Sequence, residues 1–249
     1  MEKQMPKRLA SRRLHDNASY LAERLGVGKS FDVIRLDVEY GGRAMALFMI
    51  DGFVKDDILH YLMRYLSRLE EHELDVHPLE KLLKKYLPYV EIGQTDDLEE
   101  AVAMVLAGPT ALVVDGVERI ILIDARTYPV RGPQEPDTER VVRGARDGFV
   151  ETIVFNTALI RRRVRDPSLR MEYVQVARRS KTDICICYIE EIADPELVRR
   201  VRESITAIDT DGLVMAEKTV EEFISGRHWN SVPGCPLYGT PRYGSGPFV

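Results

Sequence analysis

A complete preference for arginine over lysine marks the region from Arg131 to Arg179. This region contains eleven arginines and no lysine. A surface that needed only positive charge would mix the two residue types, whereas planar guanidinium groups pair with carboxylates through two parallel hydrogen bonds. The same region supplies matching acids, namely Glu135, Asp137, Glu139, Asp147, Glu151, Asp166 and Glu172. We therefore predict an ionic framework in which these charges satisfy one another around one long helix.

The alternative is a solvated helix on which opposite charges merely alternate, since exposed pairs contribute only about 0–1 kcal/mol each. Against it, Arg161, Arg162 and Arg163 are consecutive, and successive helical residues point about 100° apart, so they cannot all face water on one side. Asn156 falls in the middle of the helix, where a buried side chain must be hydrogen-bonded at both ends. The predicted members of the framework, or of an interface, are Arg131, Glu135, Asp137, Arg143, Arg146, Asp147, Glu151, Asn156, Arg161, Arg162, Arg163, Arg165, Asp166, Arg179 and Asp183.

Composition narrows the class of protein. A net charge of −5 over 249 residues argues against a nucleic-acid-binding protein, which would carry a basic domain. Cys185 and Cys187 alternate in an apolar run and share one strand face, and with Cys235 they form an odd, sparse set. We expect reduced, buried thiols and neither a disulfide framework nor a metal site. No secretory signal or membrane-spanning run is visible, so the chain is expected to be soluble.

The order of the elements predicts an α/β fold of two lobes, each a small mixed β-sheet with packed helices. The first lobe covers 26–126 and contains two hairpins, whose turns are Gly41-Gly42 and Asp115-Gly116. The second lobe, 127–227, holds a helix restarting at Asp147, a strand pair and a helix beginning at Asp194-Pro195. A Pro-rich linker, 125–136, joins the lobes. Residues 1–25 are expected to be flexible or a short helix, and 228–249 an irregular tail.

Two local patterns could suggest chemistry but do not support it. Gly26-Val27-Gly28-Lys29-Ser30 resembles part of a phosphate-binding loop, but Glu23 occupies the position of the first glycine and a helix, not a strand, precedes the loop. A glycine that ends a helix explains the pattern better. The histidines His60, His72 and His77 fit no metal-binding spacing.

The central motifs resemble the A-subunit family of bacterial spore germinant receptors, the GerA family. The resemblance extends over residues 25–228, and its early part is similar to the stage V sporulation AF branch. The residues that carry it are Gly26-Val27-Gly28-Lys29-Ser30-Phe31-Asp32, Asp51-Gly52-Phe53-Val54, Arg131-Gly132-Pro133, Glu135-Pro136, Arg143-Gly144, Arg146-Asp147-Gly148-Phe149, Glu151-Thr152, Asn156-Thr157-Ala158-Leu159-Ile160-Arg161-Arg162-Arg163, Arg165-Asp166-Pro167, Arg179-Ser180-Lys181-Thr182-Asp183 and Ile192-Ala193-Asp194-Pro195.

This resemblance implies a two-lobed domain on the cytoplasmic side of the spore inner membrane, ahead of a bundle of membrane helices. It implies other spore germination membrane proteins as partners, with a homo-oligomer also compatible, and no cofactor. Residues 231–249 depart from the family pattern, which suggests a foreign tail, a truncation or a frameshift. A chain without membrane helices is not expected to conduct ions.

We infer a non-enzymatic role in assembly and signal transmission, because no serine, cysteine or histidine is placed for nucleophilic catalysis. The alternative is binding of a small molecule or anion in a cleft between the lobes, where arginines and helix N-termini would hold it.

Overall fold

The computed structural model describes residues 7–87, 91–126, 149–212 and 220. Helices α1 to α6 span Leu14–Leu25, Asp56–Leu66, Pro78–Lys81, Leu98–Ala107, Ile153–Arg163 and Pro195–Thr206, and a π-helical turn, Leu82–Tyr86, continues α3. Strands β1 to β7 span Val33–Tyr40, Arg43–Ile50, Ile92–Thr95, Thr110–Val114, Ile120–Ile123, Leu169–Val176 and Thr182–Ile189.

The first five strands form one sheet in the order β1-β2-β4-β5-β3, and β6 and β7 pair with each other. The predicted α/β class with two sheets is confirmed. The strand directions differ from the prediction, because all strands of the two sheets pair antiparallel and neither sheet is mixed. The reason lies in the crossover through α4. It joins β3 and β4, which run in the same direction, but β5 lies between them and pairs with both.

Apolar side chains of the large sheet are buried on both faces. Successive residues of β2 point to opposite sides, and the whole run from Met45 to Ile50 is buried. Helices α1 and α4 cover one face, and Ala158 of α5 joins their cluster. Helix α2 and the π-helical turn cover the other face. The five-stranded sheet and the helices on its two faces, which we call the first unit, therefore form a core of three layers.

The short hairpin β6–β7 presents two different faces. On one face, Glu172 of β6 lies towards α6, where Arg202 bonds it. On the other face, the ring of Tyr173 meets that of Phe31 at 5.8 Å, and the edge of β6 bonds the loop before β1, since Phe31 N–H donates to Met171 O. The hairpin is thus held between α6 and the first unit.

Helix ends follow the sequence signals where the described residues include them. Asp194 caps α6 by accepting from Glu196 N–H at 2.9 Å, and Pro195 occupies the first helical position, as predicted. Helix α5 begins later than predicted, at Ile153, because residues 149–152 are not helical. The predicted linker beyond Arg126 and the predicted tail lie outside the described residues.

Helix α5 packs very closely against the turn that follows β2. Gly52 has a φ of 78° there, and a Cβ at this position would lie 3.1 Å from the Cβ of Ala158 and 3.2 Å from Cγ1 of Val154. Contacts this short need the absence of a side chain. The turn Asp51-Gly52 is therefore a docking point for α5 on the first unit.

Gly52→Ala is expected to lower the free energy of unfolding more than Gly28→Ala does. Both glycines have positive φ, 78° and 80°, so both variants carry the backbone penalty of about 1–2 kcal/mol. A Cβ at Gly28 meets nothing within 4 Å, whereas one at Gly52 presses on α5 and should cost about 1–3 kcal/mol more. Urea unfolding of the two variants measures the difference. Equal midpoints would show that α5 does not pack on this turn.

Candidate functional site

The loop between α1 and β1 is shaped by its own backbone. Gly26 ends α1 with a φ of 77°, and its N–H donates to Ala22 O at 3.0 Å. The N–H groups of Lys29 and Ser30 both donate to the carbonyl of Gly26, at 3.0 and 2.9 Å. These amides are therefore already used inside the loop and do not form a cradle for phosphate. The helix-ending role expected for Gly26 is confirmed.

The loop delivers Ser30 and Asp32 to a buried guanidinium. Arg161 is fully buried and Asp32 nearly so. Arg161 Nε donates to Asp32 Oδ2 at 2.8 Å and Nη2 donates to Asp32 Oδ1 at 3.0 Å, which is the bidentate geometry expected of arginine. Ser30 Oγ donates to the same Oδ1 at 2.5 Å. A carboxylate, a hydroxyl and a guanidinium thus form one closed unit.

Arg161 also donates to two backbone carbonyls in the segment that follows α5. Nη1 donates to the carbonyl of Asp166 and Nη2 to that of Leu169, both at 3.2 Å. All three of its nitrogens therefore donate. Ser30 Oγ in turn accepts from Met171 N–H at 3.0 Å. We name Ser30, Asp32, Arg161 and the carbonyls of Asp166 and Leu169 the buried arginine cluster. It links the loop before β1, the end of α5 and the start of β6.

Burial makes this cluster decisive for stability. A charge withdrawn from water carries a penalty of several kcal/mol, which is offset only when a partner charge and hydrogen bonds are in place. Separating α5 from the loop would leave both Arg161 and Asp32 without that compensation. Exposed ion pairs elsewhere, such as Arg178 with Asp209, contribute little to stability because water solvates the two charges when they separate.

A second ionic contact joins the same elements at the surface. The guanidinium of Arg170 lies against Gly26, where a Cβ would come within 2.7 Å of Nη1, so a cation sits at the C-terminal end of α1. Glu190 bonds both Arg170 at 2.6 Å and Lys29 at 3.2 Å. Burial acts to raise the pKa of Glu190, but Lys29 and Arg170 outweigh it and the pKa is lowered.

On the opposite face of the hairpin, α6 is attached through Glu172. Arg202 donates to both carboxylate oxygens at 2.6 Å, and the hydroxyl of Tyr188 donates to one of them at 2.5 Å. The hydrogen bond from Arg202 lowers the pKa of Glu172. Burial, together with the bond to Glu172, raises the pKa of Tyr188 to about 12.

Asn156 holds the segment that precedes α5. Its Oδ1 accepts from Val150 N–H and its Nδ2 donates to Val150 O, both at 2.7 Å, so the amide is bonded at both ends. Asn17 does the same in α1, bonding the N–H and carbonyl of Ser11 at 2.8 and 2.7 Å. In each helix the asparagine is the fourth residue and the partner lies six residues earlier. In α5, the two bonds from Asn156 hold Val150 in a non-helical segment, residues 149–152, ahead of the helix.

The remaining residues of the predicted framework are spread over different environments. Arg162, Arg165 and Glu151 are exposed and Arg163 is half-buried. Asp166 Oδ1 accepts from Ser168 N–H and Oγ. Arg179 is exposed with Asp211 3.7 Å away, and Asp183 bonds Tyr173 and Gln175. Six predicted members lie outside the described residues: Arg131, Glu135, Asp137, Arg143, Arg146 and Asp147.

Sequence reasoning missed Ser30 and Asp32 as partners of the arginines. It sought acids within the arginine-rich region, whereas the carboxylate that holds Arg161 lies 129 residues earlier. Both residues stand in the early segment that carries the family resemblance. Their type gave a weak signal, since one serine and one aspartate before a strand fit many turns.

The two thiols of β7 lie side by side. Their Sγ atoms are 3.4 Å apart, and both residues are half-buried instead of fully buried as expected. The contact with Cys185 lowers the pKa of Cys187, while the same contact and burial raise the pKa of Cys185. In the described ranges, no cluster of three or more His, Cys, Asp or Glu residues is placed to hold a metal ion.

Two open cavities lie on the first unit. One has a volume of about 280 Å³ and is lined by Tyr65, Arg68, Glu70, Glu73, Lys85 and Tyr86. The other has a volume of about 350 Å³, and its lining residues include His77 and Glu118. Neither is lined by α5 or by the hairpin. None of the described helices combines the length and the apolar run needed to cross a membrane.

Comparison with known proteins now decides the family. The family model described as Bacillus/Clostridium GerA spore germination protein matches residues 19–237. The chain belongs to this family. The stage V sporulation protein AF of Bacillus subtilis (strain 168) is 44% identical over 217 residues, which are 87% of this chain and 44% of that protein. The spore germination protein GerLA of Bacillus cereus is 30% identical over 191 residues, 77% of this chain and 38% of that protein.

The family fold is also seen in a solved structure. The N-terminal domain of the A subunit of the Bacillus megaterium spore germinant receptor GerK3 matches with a TM-score of 0.61 and 22% identity, covering 82% of this chain and 75% of that one. This likeness shows the fold. The GerA chain described here spans less than half of the length of the two curated relatives.

Asp32→Asn is expected to lower the free energy of unfolding by about 3–5 kcal/mol, because it leaves the charge of Arg161 buried without compensation. The matched control is Asp209→Asn, which breaks the exposed pair with Arg178 and should cost about 0–1 kcal/mol. Denaturant unfolding compares the two. A double variant, Asp32→Leu with Arg161→Met, should be more stable than Asp32→Asn alone. If Asp32→Asn and the control unfold alike, the cluster does not carry the stability assigned to it.

Glu172→Gln is expected to flatten the loss of stability in acid. Because the folded-state pKa of Glu172 is lowered, its contribution is present above the unfolded pKa of about 4.3 and is lost as the pH falls through the folded value. The melting temperatures of the variant and the parent should therefore differ at pH 7 and converge in acid. Glu203→Gln, on the exposed side of α6, is the control. A gap that stays constant with pH would contradict the assignment.

Proposed function

We propose that this chain is a non-enzymatic domain of a spore inner-membrane germination protein, and that it serves in assembly and signal transmission during germinant response and ion release. Its place is on the cytoplasmic side of the membrane, next to the membrane-embedded part of the full-length protein. The relatives reported above are named for sporulation and germination and not for a reaction, which supports the non-enzymatic role.

The buried arginine cluster is the observation that carries this proposal. A domain that passes on a change in position must move as one body, so its parts must resist sliding over each other. The cluster meets that need, since displacing α5 from the loop before β1 would separate the buried charges of Arg161 and Asp32. Gly52 adds a second fixed point on the same helix.

The proposed partners are other germination membrane proteins, with a further copy of the chain as an additional partner. The side chains of Arg165 and Arg179 are exposed and so can face acidic residues of a partner. These arginines belong to the motif that the family resemblance rests on. The buried arginine would thus fix the domain while its exposed neighbours meet the partner.

The test uses the full-length protein in spores. The double variant Asp32→Leu with Arg161→Met replaces a directional ion pair with apolar contact, so the protein should reach the membrane in normal amount but release ions more slowly on germination. Asp209→Asn is the matched control and should behave as the parent. Immunoblotting of the membrane fraction and the time course of ion release separate abundance from signalling.

Normal release by the double variant at normal abundance would overturn the signalling role. Calorimetry of the isolated chain with amino acids, sugars and inorganic anions addresses the cleft alternative. Saturable heat that disappears in the double variant would replace assembly with ligand binding as the function of this site.

A further inference from the structure

The pair of thiols on β7 has no part in the ionic contacts described above. Cys185 and Cys187 alternate along the strand and share the face of the hairpin that lies towards α5 and the loop before β1. Their sulfur atoms are 3.4 Å apart, and both residues are half-buried, so small solutes can reach them. Two thiols at this separation are poised to act on one ligand together.

A third sulfur stands on the same face. Met171 is the direct cross-strand partner of Cys187, and directly opposed residues have Cβ atoms about 4.5–5.5 Å apart on the same side of the sheet. Met171 is fully buried, and its backbone N–H is fixed by Ser30 Oγ at 3.0 Å. The partner of Cys185 is Tyr173, whose ring meets that of Phe31. Sulfur atoms and aromatic rings therefore surround this point of the hairpin.

A disulfide fits this geometry poorly. Alternate residues of a strand lie about 6.6 Å apart, near the upper limit of Cα separation in disulfides, and their side chains point in parallel. Closing the bond would bend β7, which pairs with β6 along its whole length. A metal ion needs no such distortion, because two thiolates on one three-coordinate ion with bonds of about 2.3 Å lie about 4.0 Å apart.

We propose that Cys185 and Cys187, supported by the thioether of Met171, form a binding site for a soft monovalent ion, with Cu(I) as the natural occupant. Thiolate and thioether ligands select such ions over hard cations. On binding, each thiol gives up its proton to solvent and the two thiolates bond the ion, leaving a complex with one net negative charge. No oxidation or reduction is involved.

The surroundings of the site favour a soft ion over zinc. A structural zinc site uses four ligands, and the described residues bring no further His, Cys, Asp or Glu to this pair. Asp32 and Arg161 are the charges that act on both thiols, one negative and one positive. Since they already neutralise each other, the site does not repel a cation.

The experiment is a competition between the purified, reduced chain and a chromogenic Cu(I) chelator, under anaerobic conditions. The parent should withdraw one Cu(I) per chain, and Cys185→Ser and Cys187→Ser should each abolish this. Met171→Leu keeps the buried volume and should weaken binding on the order of tenfold, by analogy with the loss of a supporting partner at a metal site. Cys235→Ser is the control, with binding equal to the parent.

Melting temperatures of the variants ensure that lost binding is not lost folding. Equal binding by the parent and the Cys185→Ser variant would overturn the proposal, as would a dependence on Cys235. So would an intramolecular disulfide between Cys185 and Cys187 on treatment with diamide, if the parent also fails to bind Cu(I). A result confined to Cys185 and Cys187, with Met171→Leu unchanged, would reduce the site to the two thiolates.

Discussion

The pairing of Arg161 with Asp32 is the constraint on which the packing of α5 and the β6–β7 hairpin against the first unit depends. A guanidinium withdrawn from water is tolerated only when its charge and its donors are satisfied, and here the acceptors come from the loop before β1 and from the connection between α5 and β6. The loop before β1 supplies the carboxylate, and the carbonyls belong to Asp166, which follows α5, and to Leu169, the first residue of β6. None of these segments can shift alone without breaking a buried bond. Rigidity of the junction follows from one side chain.

The choice of arginine at this position has a geometric reason. Its planar fork points donors in several fixed directions, whereas the ammonium of lysine is a compact charge at the end of a flexible stem. Only the fork can bond Asp32 with two nitrogens while also donating to two carbonyls. The neighbouring Arg162 is exposed, so adjacent arginines in one motif serve different purposes. A family motif that looks uniform in sequence is therefore divided between the interior and the surface.

Membership of the GerA family connects the rigidity of this junction with the proposed role in signal transmission. The matched regions make up 44% and 38% of the two curated relatives. A part that is locked to itself can pass a displacement to its neighbours without absorbing it. The loop Gly26–Ser30, which looks like a phosphate-binding sequence, belongs to the junction instead, since the N–H groups of Lys29 and Ser30 bond the carbonyl of Gly26 and Ser30 Oγ accepts from Arg161.

The sequence by itself determined the local elements and the family. The hairpin turn at Gly41-Gly42, the end of α1 at Gly26 and the start of α6 at Asp194 follow from residue types whose backbone preferences act over a few residues. Tertiary structure alone decided which arginine is buried and which acid meets it. Asp32 and Arg161 are 129 residues apart, and no local pattern encodes a contact between residues that the fold brings together across that distance. The antiparallel sheet was decided in the same way, because the place of β5 between β3 and β4 depends on packing of the whole core.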